Sequence, residues 1–373
     1  MAKDRRSEAI WVEARARWQI NVQRDGKRRT FISSTPGRRG KHEAEEKADE
    51  WLDAGQPEDM RFDAAWAEYL EYIRRNTSAS NYKSIDSIGR NHFLDDETTT
   101  RLSKKKMSRI SVKDIQNIIT AAGEDGLSKR TCKNIRDKFS SFLFYAKGRK
   151  WDHDIDMSHV TLPTGAKDAV RTIVQPDQLK KLFTVSTYID HGKEKECFYI
   201  HAFRFLVITG YRRGELCGFR REDYDSPVLT VRRSINELGE ETPGKNANAR
   251  RTNVLSRHAQ KILADQEQML KDLGIISPWL FPGPDGNRLD PKSLYGAWRK
   301  GYGKYHGIKV SLHEMRHTFI SIAKLEMPEM LLKDIVGHGA DMDTGLTYGH
   351  EVDGEKQRAA DIIDDIFTRI LSV

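Results

Sequence analysis

The sequence is poor in the residues that mark secreted, thiolate-metal and membrane proteins. It contains three cysteines, Cys132, Cys197 and Cys217, and no two of them have the spacing of a redox or zinc motif. This scarcity argues against a disulfide framework and indicates a reducing compartment. No apolar run approaches the roughly 20 residues that cross a membrane. The N-terminal residues also lack the apolar core of a signal peptide, so we expect a cytoplasmic protein.

Positive charge, in contrast, is abundant and concentrated at one end. The 373 residues include 63 Lys+Arg and 55 Asp+Glu, a formal net charge of +8. Residues 1–42 hold 12 basic and 4 acidic residues, so the rest of the chain, with 51 of each sign, is neutral. A basic arm on a neutral body indicates a polyanionic partner for that arm. The alternative is a solubilising tail.

Residues 1–57 are predicted to form a small α+β domain of three strands and a helix. Alternation in Trp18–Val22 and a turn at Asp25-Gly26 predict a hairpin, with a further strand near Ile10–Val12 and a helix that ends before Gly55. A two-stranded ribbon of this kind can enter a major groove. The predicted DNA-binding residues of the hairpin are Arg24, Lys27, Arg28 and Arg29.

Residues 58–152 read as an all-helical domain. Ser111 and Ser128 have the sequence context of N-caps, and each precedes a run with apolar residues at helical spacing. The second of these helices carries a basic outer face, which is usually only solvated but here accompanies a lysine run upstream. The residues predicted to contact DNA phosphates are Lys104, Lys105, Lys106, Lys129, Arg130, Lys133 and Arg136.

Residues 153–175 lose periodicity and are predicted to be a linker, and residues 176–373 form a third domain. This domain is predicted to be mainly α, with a core helix that ends at Gly210 and a small antiparallel β-sheet built on a hairpin. The last 20 residues carry an apolar helical stripe. We expect this C-terminal helix to make protomer contacts; the alternative is that it folds back on its own domain.

Four segments of the third domain place polar side chains beside apolar runs. They are TGYRRGEL (209–216), KNANARRTNVL (245–255), SLHEMRHTFIS (311–321) and IVGHGADMDTGLTYGH (335–350). Taken singly, an arginine or lysine in any of them is as well explained by an exposed position. The order Arg, Lys, His-x-x-Arg, Gly-His, Tyr is the informative feature.

This order resembles the tyrosine recombinases, also called lambda-type integrases, over essentially the whole chain. The resemblance implies an arm-binding domain, a helical core-binding domain and a catalytic domain. Two departures are small, since Asn246 stands where threonine is frequent and Val254 where proline is frequent. Glu215 is expected to support the first arginine. The catalytic set implied by the resemblance is Arg212, Lys245, His313, Arg316, His338 and Tyr348.

The chemistry of phosphoryl transfer requires these residue types. Arg212 and Arg316 would bind the non-bridging oxygens of a DNA phosphate, where guanidinium groups suit the charge of the transition state. Tyr348 would attack phosphorus, His313 and His338 would hydrogen-bond the phosphate, and His313 is best placed to help take the proton from Tyr348. The resemblance assigns Lys245 as general acid for the leaving 5′-hydroxyl. No metal and no cofactor is expected.

The expected partners are double-stranded DNA at core and arm sites and three further copies of the chain, as a homotetramer on two DNA sites. A DNA-bending host factor and an excisionase are further expected partners. The predicted function is the integration and excision of a phage or another mobile element through a 3′-phosphotyrosine. Alternatives are a nicking topoisomerase, a DNA-binding protein with an inert catalytic domain, and a zinc hydrolase, since His313, Glu314 and His317 match H-E-x-x-H.

Overall fold

The computed structural model consists mainly of helices, with small antiparallel sheets, as the sequence predicts. The chain divides into two compact units, Met1–Ala169 and Val170–Val373, and the division falls inside the predicted linker. Over its described part, the chain has no helix with the length and apolarity needed to span a bilayer. The residues that the structure describes are 8–24, 27–53, 59–94, 102–151, 155–167, 172–243, 250–337 and 354–372.

The first unit begins with the predicted three-stranded sheet and helix. Strands β1 (Ile10–Val12), β2 (Arg17–Arg24) and β3 (Lys27–Ser33) pair antiparallel in the order β1-β2-β3. Helix α1 (Gly37–Asp53) packs on one face, because the alternating residues of β2 and the helical stripe of α1 bury a common apolar core. The turn at Asp25-Gly26 and Gly55 lie outside the described residues.

The helical part of the first unit also has the predicted character. Capping works as predicted: Ser111 and Asp114 form a reciprocal capping box, and the Ser128 side chain accepts from the backbone N–H of Thr131 at 3.2 Å. Aromatic side chains fill the core between the helices. The helices are α2 (Phe62–Asn76), α3 (Ala79–Ile88), α4 (Val112–Glu124) and α5 (Lys129–Gly148), with a π-helical turn at Gly89–Phe93.

The segment 155–167 departs from the linker prediction. Val160 and Ala166 are buried in the helical core. The backbone N–H of Thr161 donates to Oε1 of Gln116 on α4 at 2.8 Å. The loss of periodicity therefore reflects irregular backbone that packs on the helices rather than a free connection. The exact domain boundaries stay a prediction.

The second unit contains the predicted helices and sheet around one apolar core. The predicted hairpin is confirmed by the pairing of Val228–Val231 with Arg251–Val254. The helices are α6 (Pro176–Thr184), α7 (Ile200–Thr209), α8 (Arg213–Leu216), α9 (Arg257–Asp272), α10 (Pro291–Gly296), α11 (Gly303–Tyr305), α12 (Leu312–Ala323), α13 (Glu329–Val336) and α14 (Glu355–Ser372). The strands are β4 (Thr187–Asp190), β5 (Lys193–Glu196), β6 (Tyr224–Asp225), β7 (Val228–Val231), β8 (Ser234–Ile235), β9 (Glu241–Thr242) and β10 (Arg251–Val254).

Two hairpins were not predicted. Strands β4 and β5 form one, joined at His191 and Gly192, which both have positive φ. Strands β8 and β9 form the other, in the segment between β7 and β10. Strand β6 also adds a third strand to the β7–β10 sheet. These strands are two to four residues long, too short for a clear period of two.

The C-terminal helix α14 packs on its own domain in this single chain, and its predicted contacts with other protomers stay a prediction. Ile363, Ile366 and Phe367 lie in the core of the second unit. The buried carboxylate of Asp364 accepts from the backbone N–H groups of Arg257 and of His258, at 2.7 and 3.0 Å. These amides lie at the start of α9, where backbone N–H groups have no partner within the helix. Within the single chain, these contacts agree with the alternative that the helix folds back on its own domain.

Candidate active site

Glu215 lies at the centre of a buried ion network in the second unit. Its Oε1 accepts from Nη1 of Arg212 at 2.8 Å and from Nη1 of Arg251 at 3.1 Å. Its Oε2 accepts from the backbone N–H of Arg212 at 2.9 Å and from Nη2 of Arg251 at 3.0 Å. The Glu215 side chain is only 3% exposed. The two arginines therefore share one desolvated carboxylate, and the predicted support of Arg212 by Glu215 has the expected geometry.

The local sequence explains how Arg212 reaches this position. Helix α7 ends at Gly210, which adopts a left-handed conformation with φ of 68° and lies against the ring of Phe319. Any side chain at Gly210 would clash with that ring. Arg212 is then the N-cap residue of the short helix α8, and Glu215, three residues on, closes the capping box.

Arg316 on α12 contributes a second guanidinium group. Its side chain is 2% exposed, and its Nη1 donates to the backbone carbonyl of Gly210 at 2.8 Å. Its Nη2 is buried and finds no hydrogen-bond partner in the described parts of the chain. A buried cationic donor without an acceptor is costly, so this nitrogen is suited to an incoming anion.

The pKa values of the network follow from burial and from mutual repulsion. Burial, together with the charges of Arg212 and Arg251, lowers the pKa of Arg316 to about 9. Burial alone would raise the pKa of Glu215, but the hydrogen bonds and charge of Arg251, and then those of Arg212, lower it. The Glu215 carboxylate is therefore ionised. It supplies one negative charge to the three guanidinium groups of Arg212, Arg251 and Arg316, so the site can still accept the negative charge of a phosphate.

His313 and His317 lie on the same helix as Arg316. His313 is exposed and His317 is half-buried, and their ring centroids are 4.8 Å apart with an interplanar angle of 83°. Glu314, between them, is engaged elsewhere. Its carboxylate accepts from the backbone N–H of Ser311 at 2.6 Å and from that of Thr172 at 3.2 Å. Glu314 thus serves as a helix cap, which disfavours the general-base role of the zinc alternative.

The end of α13 is held by the same cluster. Nη2 of Arg212 donates to the carbonyl of Gly337 at 3.0 Å. Nε of Arg251 and Nδ2 of Asn253 both donate to the carbonyl of Ile335, at 2.7 and 2.9 Å. Gly337 ends the helix with φ of 66°. These bonds fix the point from which the chain continues toward the predicted histidine and tyrosine.

Of the six predicted catalytic residues, the structure describes Arg212, Arg316 and His313. Lys245, His338 and Tyr348 lie outside the described residues. Within the described ranges there is also no cluster of three or more His, Cys, Asp or Glu side chains arranged to hold a metal ion.

Sequence reasoning missed Arg251 and Asn253. Arg251 is 7% exposed and its guanidinium lies 5.0 Å from the ring centroid of Tyr211. Its position in the R-R-T motif after Lys245 was the available signal, but its neighbour Arg250 looks identical in sequence and is exposed. The alternation of side chains along β10 does not show which of Arg250 and Arg251 is buried, because both faces of this short strand carry polar residues.

The hairpin residues predicted to bind DNA lie on β2 and β3. Arg24 pairs with Lys27 in register and Gln23 with Arg28. Arg28 and Arg29 are exposed, and the Arg29 guanidinium lies 5.5 Å from the ring centroid of Phe31. The hairpin thus presents cationic side chains, as predicted; their contact with DNA stays a prediction.

The basic residues of the helical domain fall into two groups. Lys129, Arg130 and Lys133 are exposed on α5. Others are tied to the protein: Lys105 bonds Asp114, Lys106 lies 3.8 Å from Asp59, and Arg136 bonds the carbonyl of Val160 and the carboxylate of Asp137. Lys104 also interacts with another group of the protein and so belongs with these residues. The exposed group on α5 is therefore the stronger candidate for phosphate contact.

Comparison with known proteins identifies a family and several relatives of this chain. The model of the phage integrase family matches residues 172–355, a range that includes all six predicted catalytic positions. A XerC-like tyrosine recombinase of Caldanaerobacter subterraneus subsp. tengcongensis is 22% identical over 333 residues, covering 80% of this chain and 81% of that protein. The ICEBs1 integrase of Bacillus subtilis is 22% identical over 321 residues, with 80% and 81% covered.

Solved structures share the fold. The Tn1549 transposon integrase in complex with a circular intermediate DNA superposes with a TM-score of 0.62 at 19% identity, over 80% of this chain and 98% of that one. A lambda integrase tetramer bound to a Holliday junction gives 0.56 at 15% identity, over 94% and 99%. Residues 172–355 therefore belong to the phage integrase family, and the relatives that match the chain are tyrosine recombinases, enzymes that cut and rejoin DNA.

Proposed function

We propose that this chain is the integrase of a phage or another mobile element, and that it integrates and excises DNA through a 3′-phosphotyrosine at Tyr348. The observation that carries the proposal is the buried guanidinium of Arg316 beside the Arg212–Glu215 pair, because its Nη2 has no hydrogen-bond partner among the described residues. Such a site is positively charged before the substrate arrives, which is the requirement for stabilising a phosphoryl-transfer transition state.

In the proposed reaction, Oη of Tyr348 forms a bond to phosphorus and the bond from phosphorus to the 5′-oxygen breaks. The phenolic proton passes to His313, and Lys245 donates a proton to the leaving 5′-oxygen. Arg212, Arg316 and His338 hold the non-bridging oxygens. The phosphotyrosine keeps the energy of the diester, so the reverse attack by a 5′-hydroxyl rejoins DNA without ATP.

The N-terminal sheet is proposed to bind arm-type DNA sites, and α5 the core site. Support comes from the charge of +8 in residues 1–42 and from the exposed position of Arg28, Arg29 and the α5 lysines. A homotetramer on two DNA sites is proposed from the lambda integrase tetramer on a Holliday junction. A DNA-bending host factor and an excisionase would complete the assembly, which acts in the cytoplasm.

The decisive test uses duplex DNA that spans the junction between the element and its host. Wild-type protein should form a covalent adduct that survives denaturing electrophoresis. Tyr348→Phe should bind the same DNA with near-normal affinity and form no adduct, because it lacks only the nucleophilic oxygen. Tyr305→Phe is a matched control at a half-exposed tyrosine and should react normally. Adducts persisting in Tyr348→Phe would disprove the assignment.

Two conditions separate the chemistry from the alternatives. Adduct formation should continue in excess EDTA, since no step uses a metal; activity restored only by zinc would favour the H-E-x-x-H alternative. Lys245→Ala should be inactive on ordinary DNA and active on DNA with a 5′-phosphorothiolate, whose sulfur leaves without protonation. Failure of that rescue with intact binding would remove Lys245 as the general acid.

A further inference from the structure

Arg251 makes more contacts with the catalytic network than its place in the sequence suggests. It donates twice to Glu215, at 3.1 and 3.0 Å, and once to the carbonyl of Ile335, at 2.7 Å. Its guanidinium also lies over the ring of Tyr211. The planar guanidinium group suits this combination of a bidentate pair, a third acceptor and a stacked ring, which a lysine ammonium cannot reproduce.

These contacts join three parts of the site. Arg251 begins β10, the strand that follows the segment containing Lys245. Glu215 holds Arg212 at the start of α8. The carbonyl of Ile335 belongs to the end of α13, just before His338. One buried side chain therefore fixes the relative positions of a strand, a helix start and a helix end.

The charge balance of the network also indicates that Arg251 acts on Arg212. Arg212, Arg251 and Arg316 with Glu215 make three guanidinium groups and one carboxylate, a net charge of +2. A phenolate attacking a phosphodiester brings two negative charges. Because Arg251 occupies part of the Glu215 carboxylate, that carboxylate cannot neutralise Arg212 fully, and Arg212 stays available to the phosphate.

We infer that Arg251 is a positioning residue, which acts through Glu215 to orient Arg212 toward the scissile phosphate and does not bind that phosphate itself. The inference rests on the proposed function. It predicts that losing Arg251 misplaces Arg212, and a misplacement of about 1 Å can reduce a rate about 10²-fold.

The test compares Arg251→Lys and Arg251→Met with the same changes at Arg250, the exposed neighbour. Single-turnover cleavage of the junction duplex is measured together with the Kd for that duplex and the unfolding temperature. Both Arg251 variants should cleave about 10²-fold more slowly at near-normal Kd. Both Arg250 variants should cleave at the wild-type rate. Normal cleavage by Arg251→Lys would show that only charge matters, and would overturn the inference.

A double-mutant cycle decides whether Arg251 acts through Arg212. In an Arg212→Ala background, Arg251→Lys should cause little further loss, because the group that it positions is already missing. Losses that multiply would instead indicate an independent contact and overturn the inference. Should Arg251→Met fail to fold, the cycle with Arg251→Lys still gives the answer. A wild-type protein that forms no adduct would overturn the proposed function, an outcome distinct from an active wild type beside active Arg251 variants.

Discussion

Lys129, Arg130 and Lys133 extend from α5 into solvent, whereas Arg212 and Arg316 are anchored inside the second unit by a carboxylate or a backbone carbonyl. The exposed cations can adapt to a polyanion but are screened by salt. The charges of the anchored arginines are screened little, and their positions are already fixed to bind a group of defined geometry. Equal charges thus suit different tasks, affinity in the first case and transition-state stabilisation in the second.

Among the variants that test this difference between exposed and anchored cations, Glu215→Gln should have the largest effect, and this effect is on stability. The substitution leaves the buried Arg251 and the half-buried Arg212 without their shared counter-ion, a loss of about 3–5 kcal/mol in the free energy of unfolding. Because folding lowers the pKa of Glu215, its contribution is present above the unfolded pKa and is lost as pH falls through the folded pKa. Chemical denaturation at pH 7 and pH 3 should therefore show a large difference from wild type at pH 7 and a smaller one at pH 3. An equal difference at both pH values would contradict the assignment.

Arg316→Met should separate stability from activity. Removing one transition-state donor typically costs about 3–4 kcal/mol, so cleavage should fall by two to three orders of magnitude. Stability should instead not fall, because the variant no longer buries a cation whose Nη2 lacks a partner among the described residues. Single-turnover cleavage and thermal unfolding measure the two effects, with Lys324→Met at the exposed end of the same helix as control. A variant less stable than wild type would show that Arg316 is a structural residue.

The exposed face of α5 should affect DNA binding and not the cleavage step. Arg130→Ala combined with Lys133→Ala should weaken DNA binding and leave cleavage unchanged once the protein saturates the DNA. Each lost phosphate contact lowers the slope of log K against log salt by about 0.9. Binding titrations at several salt concentrations test this, with Lys113→Ala on α4 as an exposed control. An unaltered slope would make the α5 face a solvated surface only.

The smallest effect is expected at the N-terminal hairpin. Arg28→Ala should weaken binding at the distal arm site alone and leave adduct formation at the core site at the wild-type rate. Arg29 is less suitable for the test because it also packs on Phe31, so its loss mixes stability with charge. Footprinting of both sites gives the answer, and equal protection at the arm site would favour a solubilising role for this charge.

The sequence was sufficient for most of the long elements and for the motifs that carry the family resemblance. Helix α5 shows why: its apolar residues recur at helical spacing over 20 residues and Ser128 marks its start. Short strands such as β8 and β9, and the packed segment 155–167, carry too few residues of clear period. Their conformation is decided by the elements against which they lie.

The sequence by itself determined the order of the motifs that contain Arg212, His313 and Arg316, and this order carries the family resemblance on which the proposed chemistry rests. Tertiary structure alone decided that Arg251, and not the adjacent Arg250, enters the buried network, since burial depends on which side of β10 faces the core. It also decided that α14 docks on its own domain. An apolar stripe shows only that one face of the helix must be buried. The surface that buries α14 is fixed by the Asp364 carboxylate, which accepts hydrogen bonds from the backbone at the start of α9.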